Sequence, residues 1–161
     1  MDNREFYLER VKAEGPAFSR VLRALPAAKR DYRPHERSRS AAEIAWLIAT
    51  EAQTCLELIE KGKVEWSDPD GKGSLKAAAD QLDRGQEKLV AALGKVDAAA
   101  WNRKAQFLMG GKVAWAAPLG QMLWGMLFDA IHHRGQLSAY IRPMGGKVPS
   151  IYGPSADDPG A

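Results

Sequence analysis

Apolar residues recur every three or four positions over four separate stretches of the chain. This spacing is typical of amphipathic helices that bury one face, so we predict four of them. Gly15 and Pro16 interrupt the first pattern and predict a kink there. The predicted helices cover about residues 3–25, 40–61, 75–93 and 119–142.

The ends of the predicted helices carry recognisable capping residues. Ser40 and Glu43 have the spacing of an S-x-x-E capping box, so the second helix is expected to begin at Ser40 and to end at Gly62. Ser74 can cap the third helix, which Gly94 ends. Four well-delimited helices with short or polar connections favour an all-α, up-and-down bundle.

Two segments lie outside the helical pattern. Residues 97–118 contain Gly110-Gly111 between short apolar runs and are interpreted as either a short hairpin or a long connection. Residues 143–161 are rich in proline and glycine and predict an extended C-terminal tail. We therefore predict one domain over residues 1–161, a four-helix bundle with this tail.

Composition narrows the classes of chemistry that are available. The chain of 161 residues is 45% hydrophobic with a net charge of +3, which is too small an excess to indicate nucleic-acid binding. Its one cysteine, Cys55, excludes an intrachain disulfide and cysteine-based zinc sites, and its histidines are His35, His132 and His133. Neither a signal peptide nor a membrane span is apparent, so we expect a cytoplasmic protein.

The fourth predicted helix carries polar groups on a stripe that should be buried. Asp129 and His133 are four residues apart and share one side of this helix. Such a pair suits either capture of a divalent metal or a plain hydrogen bond inside the protein. His132 is expected to face a neighbouring helix or solvent, and Gly135 suggests the close approach of another helix, from this chain or from a partner subunit.

The second predicted helix could add further ligands. Glu43, Leu47 and Glu51 are spaced four apart along one side, so that either carboxylate could reach a metal held by Asp129 and His133. A solvated helix charge is the alternative for each glutamate. Cys55 is interpreted as a small buried hydrophobe. The tryptophans considered as pocket-lining residues are Trp46, Trp115 and Trp124.

Two longer segments resemble a known family. They are YRPHERSRSAAEIAWLIATE at 32–51 and DAIHHRGQLSAYIRPMGGKVPSIYGPS at 129–155, in which HHRGQ precedes a G-x-x-V-P-x-x-Y-G tail. They resemble DinB-like (DinB/YfiT-type) proteins, and together with the four predicted helices the resemblance spans nearly the whole chain. The resemblance implies a four-helix bundle, commonly a homodimer, with nickel or zinc held by three histidines. Relatives include transferases and isomerases that use thiols such as bacillithiol or mycothiol.

Carried over by position, the resemblance leaves an incomplete set of ligands. The last family histidine corresponds to His133, its partner on the same helix to Asp129, and the ligand on the second helix to Leu47, which cannot coordinate a metal. A metal site would therefore consist of His133, Asp129 and Glu51.

Three functional hypotheses follow from this pattern. The first is a metal-dependent thiol S-transferase or hydrolase, in which the metal lowers the pKa of a thiol or water. The second is a metal-free descendant of the bundle that binds a small molecule or acts as a dimeric interaction module. A metal-free acid–base enzyme that uses Asp129 and His133 lies between the two.

Overall fold

A computed structural model, which describes residues 1–160, contains five helices and three strands. The helices are α1 (Asn3–Arg23), α2 (Ala41–Lys61), α3 (Leu75–Leu93), α4 (Ala98–Asn102) and α5 (Leu119–Ile141), and a short 3-10 turn spans Ala27–Lys29. The strands are β1 (Lys63–Trp66), β2 (Lys104–Met109) and β3 (Lys112–Pro118). Four of the helices are long, and their bounds lie within two residues of the predicted ones.

The predicted capping box defines the beginning of α2. The Glu43 carboxylate accepts a hydrogen bond from the Ser40 backbone N–H at 2.6 Å, and the Ser40 hydroxyl oxygen accepts one from the Glu43 N–H at 3.2 Å. At the other end Gly62 has a φ of +70°, the left-handed conformation that only glycine adopts without strain. Local chemistry thus fixes both ends of the helix that carries Leu47 and Glu51.

The order of the long helices around the core differs from the predicted up-and-down bundle. The first helix, α1, packs against α3 and α5, and α2 packs against the same two helices, so that consecutive α1 and α2 are not close neighbours. The connection over residues 24–40 is long enough to cross one end of the bundle. Backbone hydrogen bonds from Ala41 to Tyr32 and from Ala42 to Arg30 fix it there. Helix α1 continues through Pro16, the position at which the sequence predicts a kink.

A small sheet corrects the all-α prediction. Strand β2 pairs with β1 in parallel and with β3 in antiparallel orientation, and the β2–β3 hairpin turns at Gly110 and Gly111, which both have positive φ. Of the two interpretations of residues 97–118, the hairpin is therefore correct. Strand β1 has only four residues, of which Val64 alone is buried, too few to produce a periodic pattern.

The segment after α5 contains neither helix nor strand up to residue 160. It packs onto the bundle through the buried side chains of Met144 and Val148. The Asp157 carboxylate accepts hydrogen bonds from the Arg142 guanidinium at 2.9 Å and from the Val148 N–H at 3.0 Å. Across residues 1–160, no helix combines the length and the apolar character needed to cross a bilayer.

Candidate functional site

A cavity of about 420 Å³ lies where α2, α5 and the sheet meet. It is lined by Leu47, Glu51, Asp129 and His133, four of the five residues that the sequence analysis considered around a metal, the fifth being Glu43. The other lining residues are Arg39, Trp66, Asp68, Phe107, Met109, Trp115, Gly125 and Met126. The cavity is thus a mainly apolar pocket with a few convergent polar groups, the usual character of a small-molecule site.

Asp129 and His133 interact across one turn of α5. The Nε2 atom of His133 lies 3.4 Å from Oδ2 of Asp129, and its Nδ1 lies 2.7 Å from Oε1 of Gln136. Since an amide oxygen only accepts, Nδ1 carries the proton in that bond, and Nε2 is the nitrogen directed to Asp129. The bond with Asp129 raises the pKa of His133, although burial opposes this, and the same bond lowers the pKa of Asp129.

Helix α2 contributes a buried acid to the same pocket. Glu51 is only 7% exposed, and within residues 1–160 its Oε1 atom has no hydrogen-bond partner. Burial, and secondarily the charge of Asp129, raises the pKa of Glu51 well above its usual value. Burial therefore favours the protonated, neutral form of this side chain, which can donate a hydrogen bond.

The two glutamates of α2 that were candidate metal ligands therefore have different roles. Glu43 is engaged in the capping box and lies 3.4 Å from the Arg33 guanidinium, so it is not directed into the pocket. Only Glu51 lines the pocket together with Asp129 and His133. Cys55 is buried beneath them, and burial raises the pKa of its thiol, as expected of a core residue rather than a nucleophile.

These donors do not fit a tightly held metal ion. Asp129 and His133 supply two ligands, while Leu47 places an alkyl side chain in the same cavity. Among residues 1–160, no three side chains of His, Cys, Asp or Glu lie close enough together to hold one ion. Arg39 adds a positive charge that opposes a cation there. Since protein zinc sites use three or four protein ligands, this set is incomplete.

The sheet forms an aromatic wall that the sequence analysis largely missed. The rings of Trp66 and Phe107 stack with centroids 5.8 Å apart. Trp115 lies against Gly125, where an added Cβ would come within 2.6 Å of the ring. Of the three tryptophans considered beforehand, only Trp115 lines the pocket. These residues come from separate strands, and only the pairing of the strands brings them together.

The other two tryptophans considered beforehand lie elsewhere. The indole N–H of Trp46 donates to the Gly73 carbonyl, and that of Trp124 donates to Asn3. Arg39 and Asp68, which no pattern had indicated, form an ion pair of 2.9 Å at the pocket.

The residues of the run HHRGQ lie in different surroundings along α5 and have different roles. His132 is exposed, His133 lies in the pocket, and Gln136 orients its ring. Arg134 is buried in the core, where it donates to the Glu14 carboxylate at 2.6 Å and to the Tyr152 hydroxyl. Arg134 therefore has a structural role, which spacing alone did not reveal.

The chain thus belongs to a class of helical-bundle proteins. Four long helices pack beside a small sheet, and the pocket between them holds a carboxylate–imidazole pair. Within that class, the DinB family model matches residues 1–160, and the chain belongs to the DinB family. No curated protein matches the sequence.

Solved structures with the same fold are distant in sequence. A DinB-like protein from Bacillus cereus is 21% identical, with a TM-score of 0.75 over 92% of this chain and 97% of that one. YfiT from Bacillus subtilis, described as a probable metal-dependent hydrolase with an unusual four-helix bundle topology, is 11% identical, with a TM-score of 0.71 over 89% of both chains. A mycothiol-dependent maleylpyruvate isomerase is 13% identical, with a TM-score of 0.60 over 89% of this chain and 61% of that one.

Proposed function

We propose that this DinB protein binds a small, largely apolar organic molecule carrying a hydrogen-bond acceptor, and that it does so without a metal ion. The observation that carries the proposal is the composition of the pocket: an aromatic and aliphatic lining around three hydrogen-bond donors, with Leu47 at the ligand position of the family. An apolar side chain there favours an organic ligand over a cation.

The polar groups of the pocket match an acceptor such as a carbonyl oxygen. Burial favours the protonated acid of Glu51, which has a hydrogen to donate and no partner within residues 1–160. His133, with its raised pKa, and the Arg39 guanidinium are further donors in the same cavity. The carboxylates of Asp68 and Asp129 balance these charges, which favours an uncharged ligand over an ion.

The walls supply the binding energy for the body of the ligand. Trp66, Phe107 and Trp115 present flat apolar surfaces, and Gly125 leaves room for the indole of Trp115 beside α5. A planar ring can stack on such surfaces, and each square ångström of apolar area removed from water contributes about 25 cal/mol. Planarity and one acceptor group therefore define the expected ligand.

The Asp129–His133 pair can also move a proton. Protonated His133 can donate a proton to a ligand atom that gains negative charge, which leaves a neutral imidazole, and Asp129 favours the return of a proton to that imidazole. The pocket therefore contains the groups that acid–base chemistry on the bound molecule requires. Activity of this kind is secondary to the proposed binding, since it requires the ligand to be held first.

Four naphthalene probes test this proposal. We would titrate 2-acetylnaphthalene, 2-naphthoate, 2-naphthylmethylammonium and naphthalene into the protein by calorimetry. The neutral acceptor, 2-acetylnaphthalene, is expected to bind with a Kd of roughly 10 µM to 1 mM, more tightly than the other three. Trp115→Ala should weaken all binding, whereas Glu51→Leu should weaken that of 2-acetylnaphthalene more than that of naphthalene.

Phe6→Ala is the matched control, because Phe6 lines a different groove between α1 and α5. It should leave every affinity unchanged. Absence of binding by all four probes, or binding that Trp115→Ala does not affect, would contradict the proposal. Mass spectrometry of untagged protein adds an independent check: about one equivalent of metal per chain, lost in an Asp129→Ala, His133→Ala double variant, would instead favour a metal-dependent enzyme like the one YfiT is described as.

A further inference from the structure

A second, much smaller cavity of about 20 Å³ lies at the centre of the four long helices. Helices α1, α2, α3 and α5 all contribute side chains to it, and most of these are apolar. The polar exceptions are Tyr7, Glu51, Cys55 and Gln86. One water molecule needs roughly 10–15 Å³ of such space, so the cavity has room for one water molecule but not for an organic ligand.

Two buried oxygen atoms of this cavity have no hydrogen-bond partner. They are Oε1 of Glu51 and Oε1 of Gln86, and within residues 1–160 every other side-chain nitrogen or oxygen that is as deeply buried has a partner. Both residues line the small cavity. A buried polar atom without a partner costs free energy, and native proteins rarely contain one. Because both cases fall in one cavity, they indicate a shared partner.

Close packing of α2 against α3 brings these two side chains together. A Cβ added at Gly85 would lie 2.9 Å from the Cβ of Ala52, so only glycine allows the two helices to approach so closely. Ala52 follows Glu51 in the sequence, and Gly85 precedes Gln86. The helices are therefore nearest at the level of the bundle where the two unpartnered oxygens lie.

We infer that the small cavity binds one water molecule, which donates one hydrogen bond to Oε1 of Glu51 and the other to Oε1 of Gln86. Both oxygens need a donor, and a water molecule carries two hydrogens. Buried waters typically make about three hydrogen bonds, and Tyr7 and Cys55 add further polar groups to the same cavity. The size of the cavity and the chemistry of its oxygens thus agree on the same occupant.

The bound water also holds the carboxyl group of Glu51 in place. Glu51 lines both the small cavity and the larger pocket that contains Asp129 and His133. When a water donates to Oε1, the hydrogen of the protonated acid lies on Oε2, the oxygen that is left for a ligand. Gln86 is therefore a positioning residue, which acts on Glu51 through the water. This role rests on the proposed function, whereas the water site does not.

Gln86 also separates the small cavity from solvent. It is partly exposed and lines a surface groove of about 680 Å³ along α1 and α3. Gly15 and Pro16 lie in the same groove, and a Cβ added at Gly15 would be 4.0 Å from Oε1 of Gln86. Movement of this one side chain gives the water a route to bulk solvent. The water is therefore expected to stay far longer than a surface water but still to exchange.

Oxygen-17 relaxation dispersion tests the water site, because it counts the long-lived water molecules inside a protein. It observes the oxygen of water, so the exchanging hydrogens of hydroxyl and thiol groups do not contribute. Glu51→Leu and Gln86→Leu should each lower the count by one relative to the wild type. The double variant should also lower it by only one, because both residues hold the same molecule.

Gln81→Leu is the matched control on α3, since Gln81 is also partly buried but donates to the Ala49 carbonyl. It should keep the wild-type count. Equal counts in the wild type and Gln86→Leu would overturn the inference, and Glu51 and Gln86 would then satisfy each other by a direct hydrogen bond. A double variant that loses two waters would also overturn it, because the two residues would hold separate molecules.

Probe binding tests the positioning role of Gln86 separately. Gln86→Leu should weaken the binding of 2-acetylnaphthalene by roughly two- to tenfold and leave that of naphthalene unchanged, since only the first probe accepts a hydrogen bond. Loss of the water without this selective change would overturn the positioning role. If the wild type binds none of the probes, the proposed function fails, while the relaxation measurement still decides whether the water site exists.

Discussion

At the scale of single residues, Leu47 is the side chain that leaves the pocket without a third metal ligand. It lies in one pocket with Asp129 and His133, two side chains that can coordinate a metal but are too few to hold one tightly. Leu47→His should add the third ligand and raise the affinity for Ni²⁺ or Zn²⁺ by at least roughly tenfold, as measured by calorimetry. The same substitution combined with His133→Ala should show no gain. An unchanged affinity in Leu47→His would mean that position 47 does not face the other two ligands.

The Asp129–His133 pair predicts a specific pH dependence. The folded pKa of His133 lies above its unfolded value of about 6.5, so its stabilising contribution is complete below that pH and is lost as pH rises through the folded pKa. Asp129 has a lowered pKa, so its contribution is present above about pH 3.9 and is lost as pH falls through the folded pKa. The pair therefore stabilises the fold most between about pH 4 and pH 6.5. With Asp129 half exposed, the contribution stays below about 1 kcal/mol.

Asp129→Asn provides the direct measurement of this interaction. It should lower the pKa of His133 in a proton NMR titration, because it removes the carboxylate charge that favours the imidazolium. If the signal that disappears in His133→Ala titrates identically in wild type and Asp129→Asn, the hydrogen bond between the two side chains does not form in solution.

Between elements, Arg134 joins α5 to α1 and to the C-terminal segment. Its guanidinium is only 2% exposed, donates to Glu14 and to the Tyr152 hydroxyl, and lies 4.6 Å from the ring centroid of Phe18. Arg134→Met would leave the Glu14 carboxylate buried without its main partner, at a cost of about 3–5 kcal/mol in the free energy of unfolding. Urea denaturation measures this loss.

Two further variants separate the buried pair from a general effect of losing an arginine. Glu14→Gln combined with Arg134→Met should be less destabilised than the sum of the two single variants, since no unpaired charge remains. Arg142→Met removes an ion pair with Asp157 in which the arginine is 53% exposed, and should cost less than about 1 kcal/mol. Equal losses in the free energy of unfolding of Arg134→Met and Arg142→Met would show that the buried pair stabilises the fold no more than the exposed pair does.

Sequence patterns predicted the helices better than the sheet. Helices depend on contacts between residues that are close along the chain, whereas the sheet depends on contacts between distant segments. Capping by Ser40 and the left-handed Gly62 are local, so the ends of α2 were predicted within one residue. The spacing of Asp129 and His133 is equally local, and the structure brings both into one pocket. Trp66 and Phe107 meet only because β1 pairs with β2, more than 35 residues away along the chain, and no local pattern contains that contact.

At the scale of the whole molecule, the ionisation of Glu51 in the pocket affects the stability of the entire fold. Burial raises its pKa well above the unfolded value of about 4.3, so the folded state holds a proton that the unfolded state releases. Stability must then fall as pH rises from about 4.3 toward the folded pKa, with a slope of up to about 1.4 kcal/mol per pH unit. An unpartnered acid at the floor of a pocket thus makes the native state less stable at neutral pH than a neutral isostere would.

Glu51→Gln tests this coupling through the difference between two stability curves. The variant should match the wild type near pH 4 and become progressively more stable than it above about pH 5, because glutamine has no proton to lose. Taking the difference cancels the other titrating groups, including Glu14 and Asp129, whose pKa values are lowered and act in the opposite direction. Glu87→Gln, the same substitution at an exposed position on α3, is the control. A curve for Glu51→Gln that is parallel to that of the wild type would mean that Glu51 is ionised in the folded protein, and the pocket would then present a carboxylate instead of a donor to its ligand.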